Sequence, residues 1–532
     1  MTSHTPVLSL VSWPAPARAS GYRAALLQIL VILLIGIPLF YGTLRAFPLY
    51  DDGWLQLLTR ESGTTILSQT MPDRPLLAHL YRFVCGIVPA SAAGLTIVSA
   101  LLWFAFAFQA GLLWRRMFPD LDHYAGVVSC VTLAPIVVQA QICTVLVSLP
   151  CVLPTILVYG ALLSGLQFAE TGAKFRTPAL VFGAMLLTLG ILISEYATAA
   201  SLSTLMLLPL VLRRAKTNWQ RQRIRGVLVL FATIATISYL VYVRLIDLGY
   251  RPDVNPMQAG FTARHHLGGL AANLVTGVWH SVFGAYAAVA GTVGVYWDSK
   301  STIVAVLCGA LVALVLCVSS RGDANAAEEP QPRSQTILML SAALAAALAP
   351  VALMGRSTTL AGFGSRFLIP AMPVAAALTV RIALTIFRPR LVWVPVALLG
   401  LVGEYAAVAQ ASSAIHQRDF AASIGTALRP LVAANGNYTV AILSINGMDY
   451  ELTARATSNW TLELERKVWI YDYDAGVRAF GARTSCPSEL QIHKHLRLLS
   501  REGPVDHLLW MEIRGEKMVS IEPYCKTAGS VR

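Results

Sequence analysis

Apolar runs of about twenty residues recur along most of this chain, and each is long enough to cross a bilayer as a helix. The first covers 24–44 and the last 391–411. Of the 532 residues, 56% are hydrophobic and only 13% are charged, whereas an average soluble domain carries about 25% charge. One soluble core has no room for so many apolar runs. In lipid a backbone must satisfy its own hydrogen bonds, so the runs read as helices. Candidate spans lie at 24–44, 91–113, 125–142, 147–167, 178–194, 197–212, 226–243, 302–318, 335–354, 367–387 and 391–411, about eleven in all. The expected fold class is mainly α: a polytopic transmembrane helical bundle over 24–411.

The formal net charge is +13. In a soluble protein such an excess points to nucleic acid. Here Arg and Lys gather in short loops between spans: Arg115 and Arg116, Lys174 and Arg176, Arg213 through Arg225, Arg388 and Arg390. All of these loops fall on one side if the N-terminus is inside, as the positive-inside rule requires. No basic patch interleaved with aromatics lies outside them, so nucleic acid is not an expected partner; membrane lipids are. Arg18 and Arg23 precede the first run, which reads as an uncleaved anchor with residues 1–23 in the cytoplasm. An odd number of spans then sends the C-terminal tail outside.

Segment 268–297 strains this count. It is apolar enough to span, yet it holds Asn273, His280 and many small residues. Counting it would invert every later loop. It is therefore read as re-entrant or interfacial, which is tolerated where protein or a watery cavity covers the backbone. An ordinary twelfth helix is the competing reading. Residues 319–334 form a polar inside linker. Residues 412–532 are soluble in composition; 438–445 alternates like a strand, and 507–513 with 517–522 reads as a hairpin. That tail is expected to be a small extracytoplasmic α/β domain. Cys85, Cys130, Cys143, Cys151, Cys308 and Cys317 read as small hydrophobic residues. Cys486 and Cys525, in the tail, are able to pair in an oxidising compartment. No Cys/His spacing matches a zinc site.

Candidate chemistry gathers on the predicted outer face. The loop 45–90 carries Asp51-Asp52-Gly53-Trp54. One of these adjacent acids suits a general base toward a hydroxyl, the other an orienting group or cation ligand. A solvated pair of loop acids is the plainer reading. Further on, Asp73-Arg74-Pro75 sets a guanidinium in a turn that proline stiffens, where it suits a phosphate; an interfacial arginine meeting headgroups does as well. Glu195, at the end of the fifth span, is costly unless it faces a cavity or an arginine. Arg366 follows Gly362 and Gly364 just before the tenth span, with Arg356 nearby, and positive charge outside runs against the topological trend. Arg244, Arg251, Arg264, His265 and His266 belong to another outer loop. Glu404 is an intramembrane acid without an assigned role.

Asp51-Asp52-Gly53-Trp54 after the first span, Asp73-Arg74-Pro75-Leu76 later in the loop, and Ser365-Arg366-Phe367-Leu368-Ile369-Pro370 before a late span together resemble the GT-C class of polytopic glycosyltransferases, including bacterial O-antigen glucosyl-transferase-like members. The resemblance covers roughly 24–411. It implies a periplasmic-face enzyme of the bacterial inner (cytoplasmic) membrane, using a polyprenyl-phosphate-linked sugar donor and a glycan, lipid or protein acceptor. It implies that Asp51 or Asp52 is the catalytic base and that the anomeric carbon inverts. Asp73, Arg74, Glu195, Arg356 and Arg366 would then serve the phosphate and substrate. Some members use a divalent cation, Mg or Mn, and others do not; Asp51 or Asp52 would be its ligand here. Three rivals remain: a transporter or lipid-linked-saccharide flippase, a polysaccharide polymerase or ligase, and a non-catalytic assembly protein.

Overall fold

The computed structural model describes residues 25–36, 76–87, 92–135, 145–170, 176–213, 217–249, 267–292, 299–320, 333–353 and 363–387, the strands 438–445, 448–455, 505–514 and 517–523, and scattered single positions such as 138, 141, 142, 358 and 405. The described chain is mainly helical. Its helices are α1 (Ala25–Gly36), α2 (Leu77–Ile87), α3 (Ala92–Met117), α4 (Ala125–Leu133), α5 (Val145–Glu170), α6 (Arg176–Ile193), α7 (Tyr196–Arg213) and α8 (Asn218–Gly249). Then come α9 (Leu267–Trp279), α10 (Ala285–Thr292), α11 (Ser299–Ser320), α12 (Arg333–Leu353) and α13 (Met372–Ile386).

Among the described residues, five helical stretches are long and apolar enough to cross a membrane: Ile97–Met117, Ser148–Ala169, Asn218–Tyr242, Ser334–Leu353 and Ser365–Ile386. Each overlaps a run expected to span. Shorter apolar helices occupy Ala25–Gly36, Thr177–Ile193, Tyr196–Leu212 and Thr302–Val318, again on expected runs. The run 391–411 lies largely outside the described residues. Segment 45–90 is not loop throughout. Its end forms α2, whose buried Leu77, Ala78, Tyr81 and Val84 make one face at helical spacing.

Burial separates a central helix from a peripheral one. In Ser365–Ile386, 83% of the most apolar stretch is buried; in Asn218–Tyr242 only 22% is. Val229, Leu240 and Ile237 on the latter are 68, 62 and 57% exposed. A soluble monomer rarely shows so continuous an apolar face. Lipid is the solvent that tolerates it. This is a membrane protein by the character of its surface as well as by its sequence.

Lipid tails are as apolar as leucine, so close packing and buried polar contacts must hold such helices together. Both are present. Gln28 of α1 donates to the Phe108 carbonyl at 2.8 Å and to Ser129 Oγ at 2.9 Å, and Ser129 Oγ donates to the Ala107 carbonyl at 2.8 Å. These bonds join α1, α3 and α4. Gly111 makes the approach possible: a Cβ there would overlap Gln28 Nε2 and lie 2.8 Å from the Ala125 carbonyl oxygen. On α5, Gln109 of α3 donates to the Ile156 carbonyl at 3.0 Å. Pro150 and Pro154 lie inside α5, and Thr155 Oγ1 donates back to the Cys151 carbonyl at 2.7 Å. Cys130 and Cys151 are buried and outside any disulfide. Cys486 and Cys525 lie outside the described residues.

Segment 268–297 is helical through 292, with one irregularity. Between α9 and α10, His280–Gly284 forms a π-helical turn. The expected strand and hairpin of the tail are present as β1 (Tyr438–Ile445), β3 (Val505–Arg514) and β4 (Lys517–Pro523). A further strand, β2 (Met448–Arg455), pairs antiparallel with β1, Ile445 opposite Met448. The sheet order is β2-β1-β3-β4, with β1 and β3 parallel.

The Gln28 contact yields a direct expectation. Gly111→Ala forces the Gln28 amide or the α4 backbone to move, at a cost of about 1–3 kcal/mol for overpacking. Thermal unfolding of the detergent-solubilised chain should show the loss, and Gln28→Ala in the same chain should relieve part of it.

Candidate functional site

The helical bundle has two chemically different ends. At one end lie Arg115 and Arg116 in the last turn of α3, Arg176 opening α6, Arg213 closing α7 and Arg333 opening α12. Arg221, Arg223 and Arg225 follow within the first turns of α8. The start of α8 is capped: Thr217 Oγ1 accepts from the Gln220 amide at 3.1 Å, and Gln220 Oε1 accepts from the Thr217 amide at 3.3 Å, a reciprocal capping box. At the opposite end, α6 turns into α7 and α12 returns into α13.

The turn between α6 and α7 holds Glu195. Ser194 is fully buried and its hydroxyl donates to Glu195 Oε2 at 2.9 Å. The Thr198 amide donates to the Glu195 carbonyl at 3.0 Å. The carboxylate thus stands at the N-terminus of α7, where the helix dipole favours negative charge. Glu195 is half-buried, so the Ser194 bond helps to satisfy a charge that is partly removed from water.

The return from α12 to α13 is a 3₁₀ segment, Phe363–Ala371. It carries Arg366, and each side of that arginine is anchored. Ser365 is fully buried and accepts from Gln141 Nε2 at 2.9 Å. Phe367 stacks on Tyr196, the first residue of α7, with ring centroids 6.0 Å apart and planes 24° from parallel. Farther along, Tyr159 of α5 donates to the Pro370 carbonyl at 3.1 Å and shares a 3.2 Å hydrogen bond with Ser203 of α7. Arg366 itself is half-buried. The 3₁₀ segment therefore joins α5 and α7 and holds Arg366 at the same end as Glu195.

The π turn adds a third polar group. His280 Nδ1 lies 3.2 Å from Thr358 Oγ1. Thr358 is buried and belongs to the same connection between α12 and α13. The π turn also packs against the 3₁₀ segment and α13. Beside it, Trp279 and Phe283 are exposed, with ring centroids 5.3 Å apart.

Of the residues singled out in the sequence, Glu195 and Arg366 fall at one end of the bundle, opposite the arginine-rich turns. Asp51, Asp52, Asp73, Arg74 and Arg356 lie outside the described residues, as do Arg251, Arg264, His265 and His266. Gln141 and Tyr159 carry no signal in the sequence, because a polar residue in an apolar run looks alike whether it holds a neighbour or nothing; Ser365 stood in a singled-out motif, but its bond to Gln141 was not legible. His280 stood out as a polar residue in an apolar segment; its partner did not. Arg381, in α13, is 2% exposed, with its guanidinium 5.7 Å above the Phe118 ring.

Among the described residues no group of three or more His, Cys, Asp or Glu gathers in a way that would hold a metal ion. A small cleft between α5, α7 and α8 is lined by Val158, Leu162, Leu205 and Phe231. It has no titratable group in its wall, and neither Glu195 nor Arg366 lines it. Set against family models, curated proteins and solved structures, the chain gives no match.

Tyr159 is the test of this architecture. Tyr159→Phe removes the hydroxyl that serves both Pro370 and Ser203, and a buried acceptor left unserved costs about 1–3 kcal/mol. Thermal unfolding should fall accordingly. A cycle with Ser203→Ala should be non-additive, since the two hydroxyls share one bond.

Proposed function

We propose that this chain is an integral-membrane glycosyltransferase of GT-C type. It moves a sugar from a polyprenyl-phosphate carrier to an acceptor hydroxyl, at the membrane face opposite the arginine-rich turns. One observation supports the reading most: Glu195 and Arg366, distant in sequence, are held at one end of the bundle by the Tyr196–Phe367 stack and the turns on either side. A half-buried carboxylate and a half-buried guanidinium at the border of an apolar bundle suit a substrate with a phosphate head and a hydrocarbon tail.

In this reading the apolar runs make about eleven spans. Residues 1–23 are cytoplasmic and the basic turns face inward. Residues 412–532 form an extracytoplasmic α/β domain whose β part is the four-stranded sheet. The membrane is the bacterial inner membrane and the reaction is periplasmic. Segment 268–297 enters the bundle without joining the count of spans.

The chemistry assigned to Asp51 or Asp52 comes from the resemblance. The carboxylate takes the proton of the acceptor hydroxyl. That oxygen attacks the anomeric carbon and forms the new glycosidic bond. The bond from the anomeric carbon to the phosphate oxygen breaks, its electron pair leaves with the lipid phosphate, and the configuration inverts. Arg366, with Arg74 and Arg356, offsets the charge that develops on the departing phosphate. Asp73 and Glu195 orient these groups.

Reconstitution with labelled polyprenyl-phosphate sugar tests this. Of Asp51→Asn and Asp52→Asn, one should lower transfer by about 10²–10⁴, the usual share of a general base, with unchanged thermal unfolding. Normal transfer in both removes the assigned base. Movement of intact lipid-linked sugar across the bilayer, with no bond broken, identifies a flippase instead.

Orientation has its own test. In a cysteine-depleted chain, Glu195→Cys should react with a membrane-impermeant maleimide added outside intact spheroplasts, and Arg221→Cys should not. The reverse pattern overturns the periplasmic assignment.

A further inference from the structure

The π turn is the one irregularity in the otherwise α-helical stretch from Leu267 to Thr292. Such turns weaken a helix locally and concentrate at functional sites. A half-buried histidine in an apolar helix is also costly unless it has polar company. Here both features meet. His280 opens the π turn, and its Nδ1 is engaged by Thr358 at 3.2 Å. Gly284, one turn on, leaves room for the imidazole: a Cβ there would stand 3.2 Å from His280 Cδ2 and 3.5 Å from the Trp279 ring. The turn packs against the 3₁₀ segment that carries Arg366. On the outer side Val275, Trp279 and Phe283 are 69, 57 and 51% exposed, an apolar strip beside a polar corner.

We propose that His280 is a ligand of the carrier's phosphate. In the tautomer in which the Thr358 hydroxyl donates to Nδ1, the ring proton sits on Nε2, because the bond at one nitrogen sets the tautomer at the other. Nε2–H then donates to a phosphate oxygen of a lipid phosphate held jointly with Arg366. The exposed strip of Val275, Trp279 and Phe283 receives the hydrocarbon chain of the same molecule. Thr358 is a positioning residue, acting through the imidazole. Gly284 leaves the space the ring occupies beside the turn. This rests on the transferase reading above, and it names a phosphate ligand that the sequence motifs did not include.

The test uses the full chain in nanodiscs, titrated with a long-chain polyprenyl monophosphate and with the uncharged polyprenol of the same length. Wild type should prefer the phosphate. His280→Ala should weaken phosphate binding about tenfold, the scale of one hydrogen bond to a charged group, and leave polyprenol binding intact, which certifies the fold. His280→Gln, whose amide N–H reaches the Nε2 position, should recover most of the loss. Gly284→Ala and Thr358→Val should give smaller losses of the same kind. Inorganic phosphate should compete weakly, since it lacks the chain. If wild type prefers the phosphate and the His280 variants bind it equally well, the His280 assignment is overturned and the transferase reading stands. If wild type shows no preference for the phosphate, the transferase reading itself fails and takes this one with it.

Discussion

The 3₁₀ segment Phe363–Ala371 is the joint on which the described bundle depends. It is short, it reverses the chain, and it leads into α13. Its hydrogen-bonding groups are served by other elements: Ser365 by Gln141, and the Pro370 carbonyl by Tyr159. Phe367 is fixed by its stack on Tyr196. In water such bonds compete with solvent and contribute little net stability. Where burial removes the solvent, as it does around Tyr159, a carbonyl left unserved costs about 1–3 kcal/mol. The Tyr159 hydroxyl therefore stabilises three elements at once, because α5, α7 and the 3₁₀ segment meet at its oxygen.

The same joint explains why opposite ends of the bundle differ in character. The arginines at the ends of α3 and α7 and the starts of α6, α8 and α12 lie where the chain turns between helices. Arg221 and Arg225 are exposed there, while Arg223 lies over the Trp219 ring with its guanidinium carbon 3.1 Å from the ring centroid. At the other end, among the described residues, two charged groups lie in partly buried turns: Glu195 against Ser194, and Arg366 between two anchored neighbours. Sparse, half-buried charge interacts more strongly than the same charge in water. An end built in this way is better suited to hold a phosphate than to float on a headgroup layer, and the proposed donor site follows from that contrast.

Much of the helical layout was legible because lipid imposes one rule on every span: about twenty predominantly apolar residues with few charges. The ranges around Ile97–Met117, Ser334–Leu353 and Ser365–Ile386 could be read from hydropathy alone. Other features left weaker traces. Leu77, Ala78, Tyr81 and Val84 make a face within a segment that otherwise looks like loop. Asn446-Gly447, between Ile445 and Met448, is a dipeptide favoured in two-residue hairpin turns, and β2 follows it. The parallel partner of β1 was not legible at all, since β3 begins only at Val505 and nothing local marks a pairing across so long a connection.

Sequence alone determined that this chain belongs in a membrane, where most of its helices fall, and that basic residues crowd alternate turns. Each of these follows from composition within a window of a few tens of residues, and a bilayer acts on such windows one at a time. Tertiary structure decided that Glu195 and Arg366 share an end, that Gly111 is the gap for Gln28, and that His280 meets Thr358 across a π turn. Those outcomes depend on which helix faces share a contact. Apolar residues surround a helix on all sides in lipid, so its sequence carries little information about which face is inward, and only the packed bundle selects one.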